Sequence, residues 1–181
     1  LRLLLARLGT PMCFGCGEAI RQQSKEEIHE ALMSMPEGTK AMIMAPMVRG
    51  KRGQHREVLE KIRKLGFVRA RINGRVFDVE SFPELEPRKI HQIDAIVDRV
   101  IIRPNVQSRI SESVQLALQH GEGLLMLCRR HVPAGADVSI GEWIDTLFSS
   151  LYACTSCGIS YEEIEPRTFS FNSPYGAGSD C

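Results

Sequence analysis

The spacing of hydrophobic residues predicts three amphipathic helices. Ser24 and Glu27 have the spacing of a capping box, in which each side chain binds the backbone N–H of the other residue. They precede apolar residues at helical intervals, and two later segments with the same periodicity are each followed by a glycine, a common helix stop. Helices are therefore predicted over residues 24–35, 54–65 and 108–120.

Five further segments, four between these helices and one after the last, are predicted to be strands, because they are short, rich in apolar residues and bounded by turn residues. Asn73 and Gly74 form the sequence most typical of a two-residue hairpin turn. The strands are predicted over residues 40–48, 67–72, 75–79, 90–102 and 123–130. This order of elements indicates an α+β domain with a small mixed sheet over residues 23–135.

Two pairs of cysteines flank this domain in the sequence. Cys13-Phe-Gly-Cys16 and Cys154-Thr-Ser-Cys157 each place two thiols on a tight turn, and Cys181 is the last residue. Thiols at this spacing are typical ligands of a tetrahedral Zn²⁺ ion, and a site closed by four thiolates is structural and not catalytic. The sequence therefore predicts a cysteine-rich, zinc-binding base that carries the α+β domain as an insertion.

A redox role for these cysteines is the alternative. One Cys-x-x-Cys at a helix N-terminus can have a lowered thiol pKa, but no thioredoxin-like βαβ pattern surrounds Cys13. Two such pairs favour a metal. Cys128 lies within an apolar strand and is predicted to be a small core residue. In this division the base comprises residues 1–22 and 136–181, the latter including a linker.

Composition excludes some classes of protein but indicates no specific function. The chain has 181 residues, of which 43% are hydrophobic and 25% charged, and its formal net charge is +1. These values are ordinary for a globular protein, and no apolar run approaches the roughly 18 residues of a membrane span. Because no secretory signal is visible, a cytoplasmic protein is expected. The chain lacks an initiator Met and is expected to be a fragment of a larger protein.

Positive charge is concentrated in residues 49–75, which contain ten Lys and Arg and two Glu. This asymmetry favours an anionic partner, either a nucleic acid or an acidic protein surface, although a solvated face is the plain alternative. Arg69 and Arg71 alternate with apolar residues and so share one face of a strand. Arg99 has the parity of an apolar face, which predicts an internal ion pair or, as we favour, an interface.

Enzyme signatures are absent from the sequence. It contains no phosphate-binding Gly-x-x-x-x-Gly-Lys-Ser/Thr loop, no Gly-x-Ser-x-Gly elbow and no His-Glu-x-x-His pair. No catalytic residue is therefore predicted, and whether the chain belongs to an enzyme stays open at this point.

Several stretches together resemble the UvrA family, the A subunits of the bacterial UvrABC excinuclease. The most specific are Ala-Pro-Met-Val-Arg-Gly-Lys-Arg-Gly at 45–53 and Glu-Pro-Arg-Thr-Phe-Ser-Phe-Asn-Ser-Pro-Tyr-Gly-Ala at 165–177. The others lie at 1–9, 13–16, 36–39, 66–72, 97–99 and 153–158. The resemblance extends over essentially the whole chain, in order.

This resemblance implies a part of a dimeric, ABC-type ATPase that detects damaged DNA in nucleotide excision repair and loads UvrB. The middle domain would be the UvrB-binding domain, with Arg69, Arg71 and Arg99 as its contacts. The flanks would belong to the ATPase signature region and its zinc module, so that ATP would be bound by the full-length protein and not by this part.

One position departs from the family pattern. The family completes the second cysteine pair with a further Cys-x-x-Cys, and here those positions are Gly178 and Cys181. Cys13, Cys16, Asp180 or water would then supply the fourth ligand. Two functions stay open, an adaptor that docks UvrB and a nucleic-acid-binding zinc module that acts through residues 49–75. A thiol-disulfide enzyme is a third.

Overall fold

Six antiparallel strands form one sheet in the order β3-β2-β4-β1-β5-β6. The structure, a computed structural model, describes residues 10–20, 22–131, 142–151 and 154. The strands are β1 (Lys40–Arg52), β2 (Arg69–Ile72), β3 (Arg75–Asp78), β4 (Ile90–Ile101), β5 (Leu124–His131) and β6 (Glu142–Ser149). All five pairings between these neighbouring strands are antiparallel.

Three α-helices accompany the sheet. They are α1 (Lys25–Met33), α2 (Arg56–Lys64) and α3 (Gln107–His120). The capping box predicted for α1 is present, because Glu27 N–H donates to Ser24 Oγ at 3.1 Å and Ser24 N–H donates to Glu27 Oε2 at 2.7 Å. Short 3₁₀ turns lie at Val79–Ser81 and Pro104–Val106. No helix in the described ranges is both long and apolar enough to cross a membrane.

All three helices pack on the same side of the sheet, which we call the helix-covered face. Ile28 and Leu32 of α1 are fully buried against a cluster that includes Ile43 of β1 and Leu127 of β5. A second cluster joins Ile62 of α2 to the part of the sheet formed by β1, β2 and β4. Burial of apolar area on this face is the main driving force for folding of the domain.

The opposite face carries no helix in the described part of the chain, and yet its side chains are buried. Its apolar members form one cluster: Met42, Met44, Ile96, Met126, Cys128 and Leu147. Each of them is at most 9% exposed. A flat, uncovered sheet face would leave such residues in water.

An ion pair between two distant strands shows how these side chains are buried. Arg71 of β2 donates to Asp145 of β6 at 2.7 Å, although three strands lie between β2 and β6 in the sheet. Four strand spacings in a flat sheet amount to about 19 Å, more than these two side chains can bridge. The sheet therefore curls until β2 and β6 approach each other. We call the inner side the concave face.

Irregular pairing promotes this curl. Ile43 pairs with Asp98 and Met44 with Ile96, so that Val97 is an extra residue opposite the bond between Ile43 and Met44. A bulge of this kind bends its strand and increases the local twist. Further register shifts between β1 and β4 lie at Pro46/Val48 and Val48/Lys51. The long central pair is thus bent at several points.

These findings confirm the α+β class and all eight elements predicted from the sequence. The sheet, predicted to be mixed, is antiparallel in every described pairing. Strand β6 was not predicted, and it extends the compact unit to Gln23–Ser150. The two ends of this unit are neighbours, because Gln23 N–H donates to Ser149 O at 2.9 Å. The domain limits at 22 and 135 otherwise stay predictions.

Candidate metal centre and docking surface

The first cysteine pair lies on a closed turn. A backbone bridge between Met12 and Ala19 closes its base, and Cys13 N–H donates to Glu18 O at 2.8 Å. Gly17 N–H donates to Cys13 O at 2.8 Å, with Gly17 at φ +75°, a conformation that glycine adopts without strain. The turn therefore holds both thiols of the pair on one side of the loop.

The described residues outside Gln23–Ser150 belong to a second compact unit, and three thiols converge in it. The Sγ atoms of Cys13, Cys16 and Cys154 all lie within 4.8 Å of one another, and Cys16 Sγ is 3.3 Å from Cys154 Sγ. Thiolates at 2.3 Å from a tetrahedral zinc ion lie about 3.8 Å apart, so the spacing fits a metal ion. Cys13 and Cys154 are buried with Ile20, whereas Cys16 is exposed.

The structure thus brings together three of the five cysteines that the sequence predicted as metal ligands. Cys16 and Cys154 are 138 residues apart in the chain, and no disulfide joins the cysteines of the described ranges. The other two predicted ligands, Cys157 and Cys181, lie outside the described residues, as does Gly178. The described arrangement could hold a metal ion with three soft ligands.

Arg71 lies inside the concave face. Its side chain is 8% exposed, and its Nε and Nη2 donate to Asp94 Oδ2 at 3.1 and 2.9 Å. Burial alone would lower the pKa of Arg71, but the hydrogen bonds with Asp145 and Asp94 outweigh it and raise that pKa. The guanidinium is thus held by two carboxylates, one on β4 and one on β6.

The carboxylates around Arg71 differ in protonation behaviour. Burial raises the pKa of Asp94, and the charge and hydrogen bonds of Arg71 offset only part of this effect. Asp145 is less enclosed, and its hydrogen bonds with Arg71 and Cys128 outweigh burial and lower its pKa. Burial and the bond to Asp145 raise the pKa of the Cys128 thiol to about 12. Cys128 is therefore unreactive and buried, which confirms its predicted core position.

Arg69 lies on the same strand face as Arg71 but stays accessible. Its Nε donates to Asp78 Oδ1 at 2.7 Å, and the two side chains are 43% and 60% exposed. An exposed pair of this kind contributes little to stability, so its guanidinium can exchange one partner for another. The predicted shared face of Arg69 and Arg71 is present, and only Arg69 presents its charge to solvent.

Arg99 points away from the face that its sequence parity predicted. The bulge at Val97 reverses the alternation of β4, so that Arg99 pairs with Met42 on the concave side and is exposed. Asp98 takes the helix-covered side, where it binds Arg109 Nε at 2.8 Å and Ser113 Oγ at 3.0 Å. The bonds from Arg109 and Ser113 lower the pKa of Asp98.

Sequence reasoning missed Asp94 and Asp145. A signal exists for Asp94, because it interrupts the apolar run from Ile93 to Val97, and a charge in such a run needs a buried partner. No signal exists for Asp145, because its segment was not predicted to be a strand. Of the ion pairs described above, Arg71–Asp145 joins distant strands, whereas Arg71–Asp94 and Arg69–Asp78 join neighbouring ones.

Comparison with known proteins adds a family. The model of the UvrA interaction domain matches residues 23–130. Among full-length relatives, UvrABC system protein A of Clostridium perfringens is 44% identical over 182 residues. Those of Streptococcus pyogenes serotype M1 and Streptococcus pneumoniae serotype 4 are 44% and 41% identical over 181 residues. Each alignment covers 100% of this chain and 18% of the relative, so the chain spans less than a fifth of their length.

Proposed function

Because this chain belongs to the UvrA family and carries its interaction domain, we propose that the curled sheet docks UvrB through the surface around Arg69 and Arg99. The observation that carries this proposal is the family match over residues 23–130, which contains five of the six strands. Arg69 and Arg99 lie on the same side of the sheet and are accessible, as residues that bind a partner must be.

In this proposal Arg71 supports the surface and does not contact the partner. Its side chain is 8% exposed and is bound by Asp94 and Asp145. It thereby fixes β2, and with it the neighbouring Arg69, against β4 and β6. A surface that is rigid before binding loses less conformational entropy when the complex forms.

Calorimetric titration of the 181-residue chain with UvrB tests the proposal. We expect micromolar or tighter binding, and a Kd raised about tenfold or more by either Arg69→Ala or Arg99→Ala, since charged contacts that become desolvated are costly to truncate. Arg75→Ala is the matched control, because Arg75 is exposed on the opposite side of the neighbouring strand. Failure of the folded chain to bind UvrB would refute the proposal.

We further propose that Cys13, Cys16 and Cys154 hold a structural Zn²⁺ ion, with the fourth thiolate from Cys157 or Cys181. Such an ion would fix the turn that carries Cys13 and Cys16 to the second cysteine pair; chemically it supplies only a cross-link. The purified chain should contain about one zinc per molecule by mass spectrometry, and Cys16→Ser should lower this content whereas Cys128→Ser should not. Zinc-free protein with readily alkylated thiols would favour thiol-disulfide chemistry.

For the whole protein we propose the activity implied by the family, a dimeric ATPase of the UvrABC system that acts on damaged DNA in the cytoplasm. The relatives bear the name of this system, and this chain spans 18% of them. It contributes no residue that we assign to ATP binding or catalysis. Its proposed share of that activity is recruitment of UvrB.

Binding of nucleic acid by residues 49–75 is the other candidate. One cation of this segment is not available to a ligand, because Arg71 is 8% exposed and is bound by Asp94 and Asp145. The charge available for phosphates is correspondingly smaller than the sequence suggests. Phosphate binding would show as an affinity that falls by about one power of salt concentration for each contact, and titration with duplex DNA at two salt concentrations measures this slope.

A further inference from the structure

Strand β6 brings residues to the concave side that the matched family segment, residues 23–130, does not contain. Met42 pairs with Arg99 and with Cys128, and Cys128 pairs with Asp145. These residues form a row across four strands. The side chains two residues further along each strand share the same face and form the next row, about 7 Å away.

We call this next row the outer row, and its members are Ile101, Lys40, Arg130 and Trp143. Lys40 pairs with Ile101, and Arg130 pairs with Trp143. Lys40 also lies one residue beyond the pair formed by Ala41 and Arg129, which joins the two halves of the row.

Trp143 is 49% exposed and Ile101 is 40% exposed. A tryptophan side chain that is half exposed on a strand keeps much of its apolar surface in contact with water, which is unfavourable. Trp and Arg are also the residue types most enriched among those that dominate binding energy in protein interfaces. The outer row combines both types with a second cation, Lys40.

The charge of this region is of one sign. Lys40, Arg99 and Arg130 face the concave side, whereas Asp98 faces α3. Asp145, the nearest acid on the concave side, is bound to Arg71. Within the described part of the chain, neither Lys40 nor Arg99 forms an ion pair. The occupant that fits is therefore acidic, with an apolar recess for an indole.

The outer row also lies at the accessible end of β6. The chain enters the unit at Gln23 and leaves it at Ser150, next to Ser149 at the far end of the strand. Trp143 is six residues before Ser149, a distance of about 20 Å along a strand. The two ends of the unit therefore lie at the opposite end of β6 from this row.

From this juxtaposition we infer that the outer row, anchored by Trp143, extends the docking surface for UvrB beyond Arg69 and Arg99. The inference rests on the proposed docking of UvrB. It adds a strand, an aromatic anchor and a charge preference to that surface. The partner region that covers it presents carboxylates to Lys40 and Arg99, and an apolar pocket to Trp143.

Titration of the 181-residue chain with UvrB tests this inference through variants. Trp143→Ala should raise the Kd about thirtyfold, as expected when an aromatic anchor that fills a pocket is truncated, and Trp143→Phe should recover part of the loss. Glu142→Ala is the control, because Glu142 is exposed on the same strand with the opposite orientation, and it should change the Kd less than twofold.

A second measurement requires no substitution of Trp143. Trp143 is the only tryptophan of the chain, so incorporation of 5-fluorotryptophan gives a single ¹⁹F resonance. This resonance should shift or broaden when unlabelled UvrB is added. In labelled protein that carries Arg69→Ala, it should stay unchanged at the same UvrB concentration if this substitution prevents binding. Neither labelled protein carries Trp143→Ala, so a folding defect of that variant cannot obscure the result.

The outcomes separate the two proposals. If UvrB binds and Arg69→Ala weakens binding, but the Trp143 resonance and Kd do not respond, the outer row is not part of the surface and the docking function stands. If the folded chain does not bind UvrB, both proposals fail. A resonance that shifts with chain concentration alone would assign the outer row to self-association and overturn the inference.

Discussion

The two faces of the sheet are both buried, but by different means. The helix-covered face is closed by α1, α2 and α3 and consists almost entirely of aliphatic side chains. The concave face is closed by the curl of the sheet itself, and it combines three methionines with a buried arginine and two aspartates. One face follows the ordinary rules of amphipathic packing, and the other encloses paired charges together with apolar side chains.

This difference separates stability from recognition. A face covered by helices cannot meet a partner, and its residues need only fill space at high density. The concave face ends at an open edge, where Arg69, Arg99 and Trp143 are accessible. Buried ion pairs contribute little net stability but penalise alternative arrangements, and here Arg71 ties both ends of the sheet into one register. The docking surface that we propose therefore lies on the concave face.

The largest effect should come from breaking the buried ion pair. Asp94→Ala leaves the Arg71 guanidinium buried with one carboxylate fewer, and removal of one partner of such a pair costs about 3–5 kcal/mol. The exposed pair Arg69–Asp78 is the control, and Asp78→Ala should cost less than about 1 kcal/mol. Urea denaturation followed by circular dichroism measures both.

Replacement of the whole pair sharpens this test. The double variant Arg71→Met/Asp94→Leu leaves no unpaired charge inside the curl, so it should regain most of the stability lost in Asp94→Ala. Equal losses in Asp94→Ala and Asp78→Ala would show that the concave face is not a closed interior.

The next effect compares two neighbours on β5. Leu127 is fully buried on the helix-covered face, and Met126 is 7% exposed on the concave face. Leu127→Ala should cost about 2–5 kcal/mol, and Met126→Ala should fall in the lower part of the same range if the curl encloses a true core. A solvated sheet face would give less than about 0.5 kcal/mol for Met126→Ala, and equilibrium unfolding distinguishes the two values.

The smallest effect concerns pH. Hydrogen bonds from Arg109 and Ser113 lower the pKa of Asp98, so its contribution to stability is present above about pH 4 and is lost as the pH falls through the folded-state pKa. Asp98→Asn should therefore cost about 1 kcal/mol at pH 7, and the difference from wild type should shrink below pH 4. Unfolding midpoints at a series of pH values measure this.

In Arg109→Ala the difference in stability from wild type should likewise shrink below pH 4, since this variant removes the hydrogen bonds that Arg109 donates to Asp98. Asp94, on the concave face, has the opposite sign. Burial raises the pKa of Asp94, so its contribution to stability declines as the pH rises from about 4 through its folded-state pKa. An Arg109→Ala variant that kept the full wild-type slope in acid would assign the slope to another carboxyl.

The sequence predicted the helix-covered face well and the concave face poorly. Periodicity identified the three helices, and apolar segments bounded by turn residues identified five strands, including β1 and β5, which are buried on both faces. Strand β6 was missed because only Leu147, Phe148 and Ser149 are buried in it, and Leu147 and Phe148, adjacent in sequence, enter different clusters. A strand buried on both sides does not alternate between apolar and polar residues.

The candidate sites show the same limit. The cysteine pairs were recognisable because metal-ligand spacing is local within each pair, and Cys13, Cys16 and Cys154 do converge. The orientation of Arg99 was not, because one extra residue at Val97 reverses every later side chain of β4. The burial of Arg71 depends on Asp145, which is 74 residues away, and only the curl of the sheet brings them together.

The hydrogen bond from Gln23 to Ser149 has a consequence for the connectivity of the sheet domain. Because the first and last residues of this unit are already neighbours, a short peptide could join them, and the backbone could be opened elsewhere without altering the packing. The hairpin turn at Asn73 and Gly74 is an exposed place for such new termini. A circularly permuted domain of this kind would separate the order of residues along the chain from the shape that they form.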